Sequence, residues 1–330
     1  MTRRKTRPLG VLLLCAGWLL EAGAGRLGAQ TLNFTPVGSI RVPAELVKVH
    51  GERAYLAAGT TLTIVDISNP SAPKLLSSYA FPDRIWNFRV IGPLIYVAAD
   101  QFGLGILDAS NGQQLVLRGS LKTAGQAKSV ALSGTTALVT NTVSGIDVIN
   151  VSNPAKPVLV GSAFLEGFAT DVVTSGSLAY AADRPTGFYV FDMSKPGPLE
   201  PVGVLQSAAP NNTMRSQLEV LQPSGRGPKI AVLMAGGFIQ LFDVSNPAAP
   251  VKIPPYRTPG GVLRVALKEQ LAYVVDGMEG LQVVDLSTPS APRIVGSFKT
   301  ASPARDIAVA DTLVFLALAS GEVSILRQVP

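Results

Sequence analysis

Cysteine, histidine and charge are scarce in this 330-residue chain. It has one cysteine, Cys15, and one histidine, His50, and only 15% of its residues are charged. A single cysteine excludes a disulfide framework and a cysteine-clustered zinc site. A single histidine excludes multi-histidine metal centres and leaves little room for histidine-based catalysis. The N-terminal apolar run, residues 9–20, is 12 residues long, against the ~20 that a membrane-spanning helix needs. Beyond residue 30 no helical periodicity of useful length appears. Glycine and proline are plentiful, at 32 and 25, and hydrophobic residues reach 47%. That apolar content is too high for a disordered chain, and the length allows one large or two modest domains.

The first 29 residues read as a secretory leader. A basic patch, Arg3, Arg4, Lys5 and Arg7, precedes the apolar run, and small residues follow at Ala22-Gly23-Ala24 and Leu27-Gly28-Ala29. Basic, apolar, small is the order of a signal peptide, with cleavage expected near Ala24 or Ala29. A lipid-anchored alternative would use Cys15, but that residue sits inside the apolar run, after Leu14. The leader holds five basic residues and one acid, so the rest of the chain has 23 basic against 21 acidic residues, a net charge of +2. Such a near-neutral chain gives no support for nucleic-acid binding, which needs a basic face. The expected location is periplasmic, cell-surface or extracellular, with no membrane span in the mature chain.

The strongest signal is a repeat. Ile64-Val65-Asp66-Ile67-Ser68-Asn69-Pro70 returns as Val148-Ile149-Asn150-Val151-Ser152-Asn153-Pro154 and as Leu241-Phe242-Asp243-Val244-Ser245-Asn246-Pro247. The marker falls at Asp66, Asp108, Asn150, Asp192, Asp243, Asp285 and Arg327, with spacings of 42, 42, 42, 51, 42 and 42 residues. Each unit reads as four short strands, a to d; in the sixth they are 263–267, 272–275, 281–286 and 294–298. Seven such units predict an all-β, seven-bladed propeller over residues 31–330. The seventh unit runs out after strand c. The Pro36-Val37-Gly38-Ser39-Ile40 segment matches strand d elsewhere (Val160-Gly161-Ser162, Val295-Gly296-Ser297) and is expected to complete that blade, leaving no bare edge. Arg327 then needs no turn-forming side chain.

The phrase Gly280-Leu281-Gln282-Val283-Val284-Asp285-Leu286-Ser287-Thr288-Pro289-Ser290-Ala291-Pro292 resembles the LVIVP repeat of bacterial and archaeal surface proteins. The resemblance covers essentially residues 31–330. It departs at Asn111-Gly112-Gln113 and at Lys195-Pro196-Gly197-Pro198. It implies an exported seven-bladed propeller, usually without an assigned activity.

Within that architecture the repeated acids read as turn formers rather than a carboxylate ring, because Asn150 fills the same slot without charge. His50 reads as a solvated turn residue. Asp100, Asn141, Asp183 and Asp276, each shortly before a glycine, read as Asx turns. If strand a runs from top to bottom, the stereotyped Asn-Pro turns lie below, and the variable d-to-a and b-to-c loops lie above, where binding is expected. On top, residues 81–88 hold Arg84 and Trp86, the one tryptophan beyond the leader. They suit a recognition anchor, although Trp86 could equally pack between blades. The fifth unit has nine extra residues, divided between residues 207–214 and 223–228. The starts of strand a are expected at the channel mouth: Glu45, Asn87, Ser129, Asp171, Arg264 and Asp306, with Gln217 or Glu219 in the fifth unit. This ring could line a hydrated channel or hold a small polar ligand, and Glu45, Asp171 and Asp306 could join a calcium site. No cofactor is otherwise implied. Asn33, Asn150 and Asn211 each open an N-glycosylation pattern.

No unique cluster of acid, base and nucleophile stands out. The reading is an exported, non-enzymatic recognition or scaffold propeller that binds a protein or glycan on its top face. The alternative is a hydrolase or lyase with carboxylate or calcium chemistry at the channel mouth.

Overall fold

The computed structural model describes residues 31–112, 114–184, 187–194, 198–206, 217–221, 229–235 and 237–329. The expected leader with Cys15, residues 195–197, the Asn211 pattern and the two extra segments of the fifth unit lie outside them.

Seven four-stranded antiparallel sheets form a ring. Their innermost strands are Leu46–His50, Ile85–Ile91, Ala127–Ser133, Phe168–Ser175, Gln217–Leu221, Arg264–Lys268 and Ala304–Ala310. In each of the first six blades, strands a to d follow one another outward in chain order. The sixth blade has strands Arg264–Lys268, Leu271–Val275, Leu281–Asp285 and Arg293–Phe298, within a residue of expectation. The seventh is closed by Asn33–Ile40, which pairs along Val323–Val329 from Asn33 opposite Val329 to Ile40 opposite Val323. Arg327 lies within that paired strand, opposite Thr35. Among the described residues, the one helical element is a 3-10 turn, Gly277–Glu279.

The core is divided among the seams. Seven clusters of buried apolar side chains lie one between each pair of neighbouring blades. Central strands are therefore buried on both faces, which is why they read as runs such as Ile95-Tyr96-Val97-Ala98-Ala99. At the first seam Leu62, Phe88 and Ile95 are fully buried. Burial of each such side chain contributes about 1.5–3 kcal/mol. Outer strands alternate instead, as Val116–Leu121 does between exposed and half-buried positions.

Strand d carries a glycine in five of the seven blades, and the contacts give a steric reason. A Cβ on Gly38 or Gly203 would lie 2.0 Å from the carbonyl oxygen of Pro70 or Pro247, and on Gly119 2.4 Å from that of Pro154. Each of these prolines belongs to the Asn-Pro turn of the next blade. Two departures follow from this contact. The first blade has Ser77 at the equivalent position, opposite Ile64. The facing turn of the second blade has Asn111-Gly112 where the other turns carry a proline, and its Leu115 N–H donates to Ser77 Oγ at 3.1 Å. The seventh blade has no such turn, and Leu32 takes its place against Gly296, donating its N–H to Val295 O at 2.7 Å.

The marker side chains are turn formers, as their pattern indicates. Asp66, Asp108, Asn150, Asp192, Asp243 and Asp285 each accept the backbone N–H two residues on, at 2.7–2.9 Å. The Ser110 hydroxyl and N–H, then the Arg118 guanidinium, hold the Asp108 carboxyl down at about 2. An aspartate lowered in the folded state stabilises above its unfolded value of ~3.9 and loses that contribution as the pH falls through its folded value. Asp108→Asn, which keeps the turn bond as Asn150 does, is therefore expected to lose less stability than the parent between about pH 4 and pH 2. Thermal melts across that window check this, and parallel curves would show that the carboxylate is not responsible.

Candidate functional site

The side chains singled out in the sequence, Glu45, Arg84, Trp86, Asn87, Asp171, Arg264 and Asp306, line a single cavity of about 470 Å³. Its walls are the starts of the inner strands and the loops that enter them. Most of its polar groups belong to a belt that joins one blade to the next. Asn87 Nδ2–H donates to Ser129 Oγ at 3.0 Å, and the Ser129 hydroxyl donates to Asp171 Oδ1. Asp171 Oδ2 accepts the Leu218 N–H of the fifth blade at 2.8 Å. Gln217 binds both backbone groups of Val265, accepting the N–H at 3.2 Å and donating to the carbonyl at 2.9 Å. Arg264 Nε lies 3.6 Å from Asp306 Oδ1, and Asp306 Oδ2 accepts the Val47 N–H at 2.8 Å. The inner strand of a blade has an unpaired edge, and these side chains supply the partners its buried N–H groups need.

The belt fixes the fifth member as Gln217. It also corrects the first. Leu46 lies opposite Ala57 as Asn87 lies opposite Ala98, and Val47, the next residue, receives the bond from Asp306. The belt position of the first blade is thus the apolar Leu46, and Glu45 precedes it. The units are one residue closer here than the 42-residue ruler implies. Glu45 instead pairs with Arg84.

Trp86 is aimed by a β-bulge. The pairing of strand a with strand b shifts between Ile85 and Asn87, leaving Trp86 as the extra residue. The same shift occurs around Lys128, Thr170 and Arg305. Bulges redirect a side chain in this way, and Trp86, Lys128 and Thr170 all reach the cavity wall. The indole N–H of Trp86 donates to Asp100 Oδ2 at 2.9 Å. Lys128 Nζ lies 3.8 Å from the ring centroid, and Arg84 Cζ 5.1 Å from it. Such cation–π contacts contribute about 0.5–2 kcal/mol each. Burial pushes the Lys128 ammonium below the usual lysine range; Asp100, 3.8 Å away, opposes this and Arg84 adds to it.

Asn141 does form an Asx turn, accepting the N–H groups of Val143 and Ser144 at 3.0 and 2.7 Å. Its counterparts bond elsewhere. Asp183 accepts the Gly167 N–H at 2.8 Å, and Asp276 accepts the Thr258 hydroxyl and the Gly260 N–H. With Asp100 on Trp86, these acids tie each b-to-c loop to the segment that enters its own blade. His50 is exposed but is the last residue of its strand, paired with Arg53 just before the turn. Among the described residues, no three of His, Cys, Asp and Glu are grouped so as to hold a metal ion. No helix of the described residues is long and apolar enough to cross a membrane.

Six cationic side chains line the cavity, Lys48, Arg84, Arg89, Lys128, Arg184 and Arg264, against three carboxylates, Glu45, Asp171 and Asp306. Lys128 was legible in principle, since it lies 42 residues after Trp86 in the same slot. Lys48 and Arg89 lie two residues past the belt position, on the same side of their strands. The rim is apolar in part: Val143 and Phe164, on loops of this face, are 70% and 74% exposed, and Phe168, at the head of the fourth inner strand, is 58% exposed.

These features define a seven-bladed β-propeller with a charged mouth. The LVIVD repeat family model matches residues 43–80, 85–123, 124–163, 166–203 and 259–300, more than half of the chain. The chain belongs to the LVIVD repeat family. Among solved structures it is similar to Raptor from Chaetomium thermophilum, with 14% identity and a TM-score of 0.71 over 92% of this chain and 29% of that one. It is also similar to the Pan2 WD40 domain from Neurospora crassa, with 11% identity and a TM-score of 0.67 over 91% and 98%. The chain thus spans less than a third of the Raptor chain it matches. At these identities the likeness is one of fold. No curated protein matches the sequence.

Proposed function

We propose that this protein is an exported, non-enzymatic recognition module that binds a protein or glycan on the face around the cavity mouth. The carrying observation is Trp86, held by Asp100 and flanked by Lys128 and Arg84 at the wall of an open cavity. Tryptophan and arginine are the residues that most often anchor interfaces. Exposed Val143, Phe164 and Phe168 on the same face add apolar surface of the kind that marks interaction sites. Both oxygens of Asp171 accept protein hydrogen bonds, and Asp306 holds Val47 and Arg264. Their engagement in the belt favours recognition over carboxylate-based hydrolysis or elimination. Export rests on the leader-like pattern of residues 1–29.

The test is affinity capture from the native periplasm and medium with the parent and with a double variant, Arg84→Ala and Trp86→Ala. The variant is expected to remain folded, with a lowered melting temperature from the lost Asp100, Lys128 and Glu45 contacts, and to lose the captured partner. Unchanged capture would reject this site.

A further inference from the structure

Resting on that reading of the cavity, we propose that its ligand presents a small organic anion, whose carboxylate is held by Lys48 and Arg89. Both side chains line the cavity, from the first and second blades. Among the described residues, neither has an ion-pair partner within 4.0 Å. The other cations beside them are engaged: Arg84 with Glu45, Arg264 with Asp306, and Lys128 with Asp100. In the other blades the corresponding positions are Ala131, Val173, Glu219, Ala266 and Ala308. Glu219, the one acid of this tier, accepts Gln217 Nε2–H at 3.1 Å.

Positive charge without a counter-ion is therefore concentrated on one side of the mouth. It lies where the polar belt is interrupted by Leu46. Arg84 stands beside it, and its Nε is buried without a hydrogen-bond partner among the described residues. A cleft lined by one sign of charge focuses its field on an incoming ion of the other. Lysine and arginine bind carboxylates through short, charge-assisted hydrogen bonds. The organic part follows from Trp86 in the same wall and the exposed Phe168 elsewhere in the lining, which offer apolar surface that an inorganic ion would leave unused. A cavity of about 470 Å³ is within the usual range for small ligands.

Titration of the full chain with glucuronate and benzoate, against neutral glucose and benzamide, tests the charge requirement. Tryptophan fluorescence is the readout, with Trp86→Phe separating the contribution of Trp18. At least one anion is expected to bind about tenfold tighter than its neutral counterpart, and to weaken as salt screens the charges. The double variant Lys48→Gln, Arg89→Gln is expected to remove that preference. The charge-conserving Lys48→Arg, Arg89→Lys variant should retain most of it, and it decides the matter if the glutamine variant fails to fold. Equal binding of charged and neutral probes, no binding of either anion, or an unaltered preference in the glutamine variant would each overturn the proposal. Inorganic phosphate binding as tightly as the organic anions would overturn its organic part. None of these outcomes touches the recognition reading, which is decided by capture with the Arg84 and Trp86 variant.

Discussion

Deletion of residues 31–42 is expected to give a protein that aggregates and shows no cooperative melt near that of the parent. The segment supplies the whole outer strand of the seventh blade, Asn33–Ile40, and places Leu32 against Gly296 of the sixth. Phe34 and Ile40 are buried in the seams on either side of that blade. Losing two such side chains removes about 3–6 kcal/mol of burial, comparable with the whole stability of a typical domain, about 5–15 kcal/mol. The deletion would also bare the paired edge of Val323–Val329, a template for association with other chains. Size-exclusion chromatography and a thermal melt check both effects. A monomeric deletion variant with the parent's melting temperature would show that closure does not stabilise the ring.

Gly203→Ala is expected to be strongly destabilising for a residue on an outer strand. The new methyl would be placed 2.0 Å from Pro247 O, against a turn fixed by the Asp243 side chain and proline. Neither backbone can yield without separating the fourth and fifth blades. Overpacking of this kind costs about 1–3 kcal/mol or more, and each kcal/mol lowers the melting temperature by about 2–4 °C in a chain approaching this size. Ser77→Gly is the matched control. Ser77 already occupies the equivalent position against a differently shaped turn, so the change relieves no clash and is expected to cost about 1 kcal/mol, from the lost Leu115 N–H bond and the added backbone freedom. Thermal unfolding of both variants decides between a steric and a propensity effect. Equal, small losses would show that the close approach carries no weight.

Most of the architecture was legible because the repeat sets which residues are neighbours. The 42-residue spacing places the markers in equivalent turns, and the matching Gly-Ser phrases reveal which strand closes the ring. The mouth was legible in outline: one register of strand a brings Asn87, Asp171, Arg264 and Asp306 together. The roles of those residues were not. A periodic sequence does not reveal that Asp171 and Asp306 reach across a seam to backbone groups, because their partners, Leu218 N–H and Val47 N–H, have no side-chain signature. The one-residue contraction in the first blade moved Glu45 off the belt, and spacing alone could not register it. Asp100 looked like a local turn former because its bond to Trp86 depends on a bulge in another strand. Lys48 and Arg89 are unremarkable singly and become conspicuous only when the counter-ions of every neighbour are known.

The bulge at the entrance to strand a has an evolutionary corollary. A bulged blade copied by gene duplication arrives with one residue outside the pairing that holds its strand, and in three of the four bulged blades that residue lines the cavity. Trp86, Lys128 and Thr170 are three different fillings of that inherited slot. Point changes there can diversify what the ring grips while the blades keep their shape, so members of such a lineage can share a skeleton and differ in taste.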